Sequence, residues 1–145
     1  MMRRSLQCLA LCASVALAGC ATATPDVTGS GSQLQTRQLQ TRDYDTLDKE
    51  KTMRSVVATL QDLGFTIDTA DPTLGTITGS RVYYESDYKN FTMRMTVTVR
   101  EMEGKRVAVR ANARLNDKAV ADPLTYQDFF AALDKAMFLT LQQVD

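Results

Sequence analysis

The chain has 145 residues, with 17 basic and 17 acidic side chains, three cysteines and no histidine. Its length suits one domain, and its balanced charge argues against general nucleic-acid binding, which requires a strongly basic domain. The absence of histidine excludes imidazole-based metal sites and catalysis by a serine or cysteine paired with histidine.

Residues 1–19 are predicted to be a signal peptide. A short start carrying Arg3 and Arg4 precedes an uncharged, mostly apolar run over residues 6–18. That run has about 13 residues, whereas a mature helix needs about 20 to cross a bilayer. A buried core helix is the alternative, but only Gln7 and Ser14 interrupt the run, too few for alternating polar and apolar faces.

Leu17-Ala18-Gly19-Cys20 resembles the lipobox of bacterial lipoproteins, in which an aliphatic residue and two small residues precede a cysteine. Because a thiolate is a strong nucleophile, Cys20 is suited to form a thioether with diacylglycerol. The resemblance implies that signal peptidase II cleaves between Gly19 and Cys20 and that the freed amine is N-acylated. Ala21 is not the aspartate typical of inner-membrane retention, which implies the periplasmic face of the outer membrane. No cofactor is expected besides this covalent lipid.

Cys8 and Cys12 lie in the predicted signal peptide, so the mature chain has no pair of cysteines for an internal disulfide. Residues 20–36 are predicted to be the lipidated N-terminus and a flexible tether, because few of their side chains could be buried. Residues 37–145 are predicted to form a single globular domain. Without Arg3 and Arg4, 15 basic residues face 17 acidic ones, which again disfavours nucleic acid.

The first half of the domain predicts a strand, a helix and a hairpin. Gln38–Tyr44 is interpreted as the first strand. The next segment has an apolar stripe at helical spacing, begins at Asp48 or, less favourably, Thr46, and ends where Gly64 permits a left-handed backbone. Residues 65–69 and 76–82 are predicted to pair around a turn at 71–75, with Gly79 marking a bulge or a close approach. The helical stripe comprises Met53, Val56, Val57, Leu60 and Leu63.

The second half predicts a long hairpin and a closing helix. Apolar and polar residues alternate over 91–100 and again over 107–115. A three-residue loop at 102–104 with Gly104 left-handed places Val99 opposite Val107, so that both apolar faces coincide. Asp122 and Pro123 begin the last helix. Its apolar side comprises Tyr126, Phe129, Phe130, Leu133, Met137 and Leu141.

The element order is therefore β-α-β-β-β-β-α. It predicts an α+β two-layer domain in which an antiparallel sheet of about five strands carries both helices on one face. The apolar face of the strands and the two helical stripes supply one hydrophobic core, adequate for about 105 residues.

Two surface features are candidate binding sites. In the predicted register five arginines point away from the core on the long hairpin, with Arg100 across from Arg106 as a mildly unfavourable pair. One interpretation is a solvated face; the other is a docking surface, with Arg94, Arg110 and Arg114, for an acidic partner, lipid phosphate or cell-wall carboxylate. The five residues are Arg94, Arg100, Arg106, Arg110 and Arg114.

The second feature is the segment 83–88 between the two hairpins, which has three tyrosines in six residues. Tyr83, Tyr84 and Tyr88 either cover an open end of the core or offer rigid, amphipathic contact area of the kind enriched at interfaces.

Seven short segments spread over roughly 100 residues of the mature domain carry a family resemblance. They are Arg42–Thr46, Thr59–Phe65, Leu74–Ile77, Asp122-Pro123, Tyr126-Gln127, Phe129-Phe130 and Phe138-Leu139. With these segments the domain resembles a set of proteobacterial lipoproteins, and the resemblance implies no catalytic residues. More loosely, a helix held by a curved antiparallel sheet is similar to domains of BamC, a lipoprotein of the outer-membrane assembly machine.

We therefore expect a non-enzymatic envelope protein, anchored to the membrane by its lipid, that binds an envelope protein or the cell wall as an accessory or structural factor. No catalytic residue and no metal site are expected, because the carboxylates fall at caps, turns and solvated faces. The alternative is a carrier that holds a small apolar ligand between sheet and helices. Met53, Met93, Met95 and Met137 could line such a cavity, although methionine at these positions is also ordinary core filling.

Overall fold

The structure, a computed structural model, describes residues 34–46, 48–85 and 89–142. The predicted signal peptide, Gly19, Cys20, residues 20–33 of the predicted tether and Tyr88 lie outside these ranges. Residues 34–39 are helical. The remaining elements are β1 (Thr41–Tyr44), α1 (Lys49–Asp62), β2 (Thr66–Asp71), β3 (Thr76–Glu85), β4 (Lys89–Met102), β5 (Arg106–Leu115), β6 (Lys118–Ala119) and α2 (Pro123–Gln142).

The strands form one antiparallel sheet in the order β1-β5-β4-β3-β2, and β6 pairs with β5. Since β1 pairs with residues 107–110 of β5 and β6 with residues 114–115, the two short strands share the side of β5 away from β4. Helices α1 and α2 pack against each other and cover one face of the sheet. The predicted α+β fold is confirmed, with β6 added to the five strands expected.

One hydrophobic core fills the space between the sheet and the helices. The alternation predicted for β4 and β5 is confirmed, because Met95, Val97 and Val99 are buried while their sequence neighbours face away. The predicted apolar side of α2 is buried from Tyr126 to Met137. The buried apolar residues are Met53, Val56, Leu60, Phe65, Ile77, Met95, Val97, Val99, Val107, Val109, Ala111, Ala113, Tyr126, Phe129, Phe130, Leu133 and Met137.

Helix α1 begins and ends where the sequence predicts. The Asp48 carboxylate accepts a hydrogen bond from the Lys51 backbone N–H at 2.8 Å, which satisfies one donor of the first turn. At the other end Gly64 has φ +83°, its N–H donates to the Gln61 carbonyl, and the Phe65 N–H donates to the Leu60 carbonyl, both at 2.9 Å. This pair of bonds is a Schellman motif, and it places Phe65 in the core.

Gly79 fulfils both roles predicted for it. The pairing of β2 with β3 shifts between Ile67 and Thr69, and Gly79 lies opposite Ile67 at that irregularity. A Cβ atom on Gly79 would lie 3.1 Å from the Thr66 carbonyl oxygen and 3.3 Å from the Phe65 Cβ. The missing side chain therefore allows the start of β2 and the residue before it, directly after α1, to lie close to β3.

The prediction of a strand over Gln38–Tyr44 is wrong in its first half. Residues 34–39 are helical, the Gln40 N–H donates to the Thr36 carbonyl at 3.0 Å, and β1 begins only at Thr41. Residues 34–36, assigned to the tether, belong to that helical segment. Leucine, glutamine and arginine, which dominate residues 34–39, are good helix formers, and local propensity prevails there over a short apparent alternation.

The predicted register of the long hairpin is wrong by two residues. Val99 pairs with Val109 rather than Val107, because β4 continues to Met102 and the loop comprises residues 103–105. Gly104 is left-handed as predicted, with φ +82°, and Lys105 also has positive φ, at 64°. A shift of two residues leaves every side chain on its predicted face, so the core assignment survives the error.

Candidate binding surface

Strands β4 and β5 present an arginine-rich surface on the side of the sheet away from the helices. All five of its arginines are exposed, while the residues that alternate with them are mostly buried. We call this surface the arginine face, and it comprises Arg94, Arg100, Arg106, Arg110 and Arg114. The structure brings the three predicted binding arginines, Arg94, Arg110 and Arg114, together on it; their role as a docking surface stays a prediction.

The observed register changes which arginines are neighbours. The prediction that Arg100 lies across from Arg106 is wrong: Arg100 pairs with Ala108, and Arg106 pairs with Met102. The like-charge pair is instead Arg94 with Arg114, directly opposite each other. Like charges in this position destabilise a sheet. The arginine face therefore holds positive charge at a small cost to the fold.

Most of this charge is not neutralised by other residues that the structure describes. Arg106 Nη1 lies 3.6 Å from Asp43 Oδ2, and the Arg114 guanidinium donates to the Asp117 backbone carbonyl. Across residues 34–46, 48–85 and 89–142, the side chains of Arg94, Arg100 and Arg110 have no hydrogen bond or ion pair. Their guanidinium groups are free to interact with an anion from outside.

A concavity of about 390 Å³ lies on the arginine face between Arg100 and Arg110. Ala108 is the cross-strand partner of Arg100 and lies two residues from Arg110 on the same face. Its methyl group leaves space between the two longer side chains. The lining residues are Thr41, Thr98, Arg100, Met102, Ala108, Arg110 and Asn112.

A buried hydrogen-bond network supports this edge of the sheet. Gln40 is 7% exposed, and its side-chain N–H groups donate to the Tyr126 Oη at 3.0 Å and the Asn112 Oδ1 at 3.3 Å. The Tyr126 hydroxyl donates to the Val120 carbonyl at 2.7 Å and accepts from the Ala113 N–H at 3.3 Å. The sequence gives no sign of this network, because Gln40 and Tyr126 are 86 residues apart.

A second group of side chains ties β1 to α2. Asp134 accepts from the Arg42 guanidinium and, at 2.8 Å, from the Tyr44 hydroxyl. The Arg42 guanidinium also lies 4.9 Å from the centre of the Phe130 ring, a cation–π geometry. Burial, followed by the hydrogen bond to Asp134, raises the pKa of Tyr44 well above its usual value of 10.0. We call Arg42, Tyr44 and Asp134 the Arg42 cluster.

The predicted tyrosine site is only partly assembled. Tyr83 and Tyr84 belong to β3 rather than to a connection between hairpins, and Tyr88 lies outside the described residues. The Tyr83 ring lies 4.7 Å from the Arg81 guanidinium, and its hydroxyl donates to the Met93 sulfur at 3.9 Å. Tyr84 is 81% exposed. Because neighbouring residues of a strand alternate, these two tyrosines face opposite sides of the hairpin.

Within the residues that the structure describes, no three acidic or cysteine side chains are placed to hold a metal ion. Over the same part of the chain, no helix is both long enough and apolar enough to span a membrane.

Neither the family models nor the curated proteins with which the chain was compared match it.

Proposed function

We propose that this chain is a membrane-anchored lipoprotein on the periplasmic side of the outer membrane, whose domain binds another component of the envelope without catalysing a reaction. The observation that carries the binding role is the arginine face, where Arg94, Arg100 and Arg110 have no intramolecular partner in the described part of the chain. The membrane anchor rests on the sequence Leu17-Ala18-Gly19-Cys20. The resemblance to proteobacterial lipoproteins inferred from the sequence supports the anchor and implies no catalytic residues.

A lipid anchor makes weak surface contacts effective. Each buried acyl methylene contributes about 0.8 kcal/mol, so several chains on Cys20 hold the protein at the bilayer. Confinement near the partner raises the effective concentration of the arginine face. Contacts that are weak individually can then keep a large fraction of the protein bound to its partner. Arginine suits this task because its planar guanidinium pairs with phosphate or carboxylate through two parallel hydrogen bonds.

In the part of the chain that the structure describes, no observation favours the carrier alternative. Met53, Met95 and Met137 are buried within the continuous core, and Met93 is partly buried against it. These four side chains contact other core residues and act as ordinary filling between the helices and the sheet.

The proposal is tested by crosslinking in cells with an affinity-tagged full chain and mass spectrometry of the recovered partners. We expect the triple variant Arg94→Gln, Arg110→Gln, Arg114→Gln to lose the partner that wild type recovers. The matched control is Lys51→Gln, Arg54→Gln, Lys135→Gln, which removes the same charge from the helical side and should retain it. Equal recovery from both triple variants would contradict binding through the arginine face.

The anchor is tested separately with Cys20→Ala in the same cells. Wild type should fractionate with the outer membrane and yield an N-terminal peptide whose mass includes the acyl groups on Cys20. The Cys20→Ala variant should be lost from the outer-membrane fraction. An unmodified thiol at Cys20 in wild type, or wild type that still carries residues 1–19, would rule out the lipoprotein assignment. Neither result would bear on the role of the arginine face.

A further inference from the structure

We propose that the concavity between Arg100 and Arg110 is a binding site for a phosphate group, either inorganic or carried by a phospholipid headgroup. This inference rests on the proposed function, since it specifies the anion that the arginine face recognises. The proposed site differs from the sequence prediction, because Arg100 is not among the three arginines that the sequence singles out.

Among the residues that the structure describes, the lining of the concavity supplies hydrogen-bond donors and no carboxylate. Arg100 and Arg110 contribute guanidinium groups, and Thr41 and Thr98 contribute hydroxyls. Asn112 also lines the concavity, and its Oδ1 already accepts from Gln40, so the amide NH₂ is the end that remains available to a ligand. The site therefore favours a multiply accepting anion over a neutral or cationic group.

The acidic residue that pairs with Ala108 does not cancel this charge. Asp43 of β1 pairs directly with Ala108, but its Oδ2 lies 3.6 Å from Arg106 Nη1. Arg106 is not among the residues that line the concavity. Asp43 thus has its own cationic partner, and the two lining arginines keep their positive charge for a ligand.

The geometry of the donors favours phosphate over carboxylate. They come from three strands, since Thr41 lies on β1, Thr98 and Arg100 on β4, and Arg110 on β5. A tetrahedral phosphate accepts from several directions at once, whereas the two coplanar oxygens of a carboxylate are satisfied by one arginine fork. Met102, 47% exposed at the rim, offers apolar contact that a phospholipid can use and inorganic phosphate cannot.

The test titrates the full chain, held in a neutral detergent, with inorganic phosphate, dihexanoyl phosphatidylglycerol or acetate, and follows binding by calorimetry. Wild type should bind at least one phosphate compound saturably and more tightly than acetate. The variant Arg100→Gln, Arg110→Gln should weaken that binding by at least about tenfold. The matched control, Lys51→Gln, Arg54→Gln, removes the same charge from the helical side, away from the concavity, and should weaken it by less than about threefold.

A variant that keeps all charges tests whether the shape of the concavity matters for binding. Ala108→Leu fills the concavity and leaves all five arginines, and it should also weaken binding by about tenfold while the circular dichroism spectrum stays that of wild type. Binding of phosphatidylglycerol alone assigns the ligand to the lipid headgroup; equal binding of inorganic phosphate assigns it to the free anion.

Three results would overturn the site. These are the absence of saturable binding by both phosphate compounds, equal affinity for acetate, and an equal loss in the Arg100/Arg110 double variant and its control. The last result would assign binding to diffuse positive charge. None of them bears on the acyl groups at Cys20 or on partner crosslinking by the arginine triple variant, so the proposed function stands or fails by its own experiment.

Discussion

The two faces of strands β4 and β5 differ in the role of their side chains, which pack in the core on one face and face solvent on the other. On the core face Val97, Val99 and Val109 are fully buried against the helices. One residue away along the same strands, Arg100 and Arg110 are exposed and have no intramolecular partner in the described part of the chain. The alternation of side chains along a strand thus separates stability from recognition. Substitutions on one face should change the free energy of unfolding, and those on the other should change binding.

The largest effect is expected in the core. Phe129 is fully buried and packs edge-to-face against Phe130, with ring centres 5.1 Å apart. Phe129→Ala should lower the free energy of unfolding by about 3–5 kcal/mol, because it removes buried apolar surface and leaves a cavity. Urea denaturation measures this loss. Arg110→Gln should change the free energy of unfolding by no more than about 0.5 kcal/mol. A loss as large as that of Phe129→Ala would contradict the division of roles between the two faces.

A polar group in the core should come next. Tyr126→Phe keeps the ring but removes the hydroxyl that donates to Val120 and accepts from Gln40 and Ala113. The buried donors and acceptor left without a partner should cost about 1–3 kcal/mol in urea denaturation. The control Tyr84→Phe changes an exposed tyrosine and should be neutral. A neutral Tyr126→Phe would mean that the network adds nothing to apolar packing.

The Arg42 cluster predicts an effect that depends on pH. Because burial and the bond to Asp134 raise the pKa of Tyr44, the folded chain keeps this proton above about pH 10, where the unfolded chain loses it. The folded state then binds more protons than the unfolded state, so the free energy of unfolding falls as pH rises above about 10. Urea denaturation at about pH 8 and about pH 11 should show a shallower fall for Tyr44→Phe than for wild type.

The smallest effect is expected on the arginine face itself. Arg94→Thr removes one member of the Arg94–Arg114 pair and adds a β-branched residue suited to a strand. It should raise the midpoint of thermal unfolding slightly, equivalent to less than about 1 kcal/mol. Arg106→Thr is the informative comparison, because it removes the ion pair with Asp43 and should give no such gain. Lower stability of Arg94→Thr would show that the opposed arginines do not repel.

Local patterns predicted most of the fold. The apolar stripe of α1, the cap at Asp48, the Schellman motif at Gly64 and the alternation of β4 and β5 depend on residues close in sequence, and the structure confirms each. Local patterns did not determine the hairpin register. Moving a three-residue loop by one position along the chain shifts the strand pairing by two residues, and both registers bury the same side chains. The helical segment at 34–39 was missed because strand alternation over a few residues is weak.

The candidate site was less accessible from sequence. Alternation alone placed Arg94, Arg110 and Arg114 on one face, as the structure confirms. The concavity depends on Ala108 lying opposite Arg100, and that pairing follows only from the correct register. The bond from Gln40 that orients Asn112 joins residues 72 positions apart and has no local pattern. Contacts of this kind arise from the tertiary fold.

The way in which the chain enters the domain has a mechanical consequence. A force applied to the chain before residue 40 acts first on Gln40. Its backbone carbonyl accepts a hydrogen bond from the Ala111 N–H at 2.8 Å, and its side chain donates to the Tyr126 hydroxyl. Behind it, the Arg42 cluster fastens β1 to α2. A force arriving from the N-terminal side is therefore shared between the sheet edge and the last helix, so this short strand resists detachment more than four residues alone would.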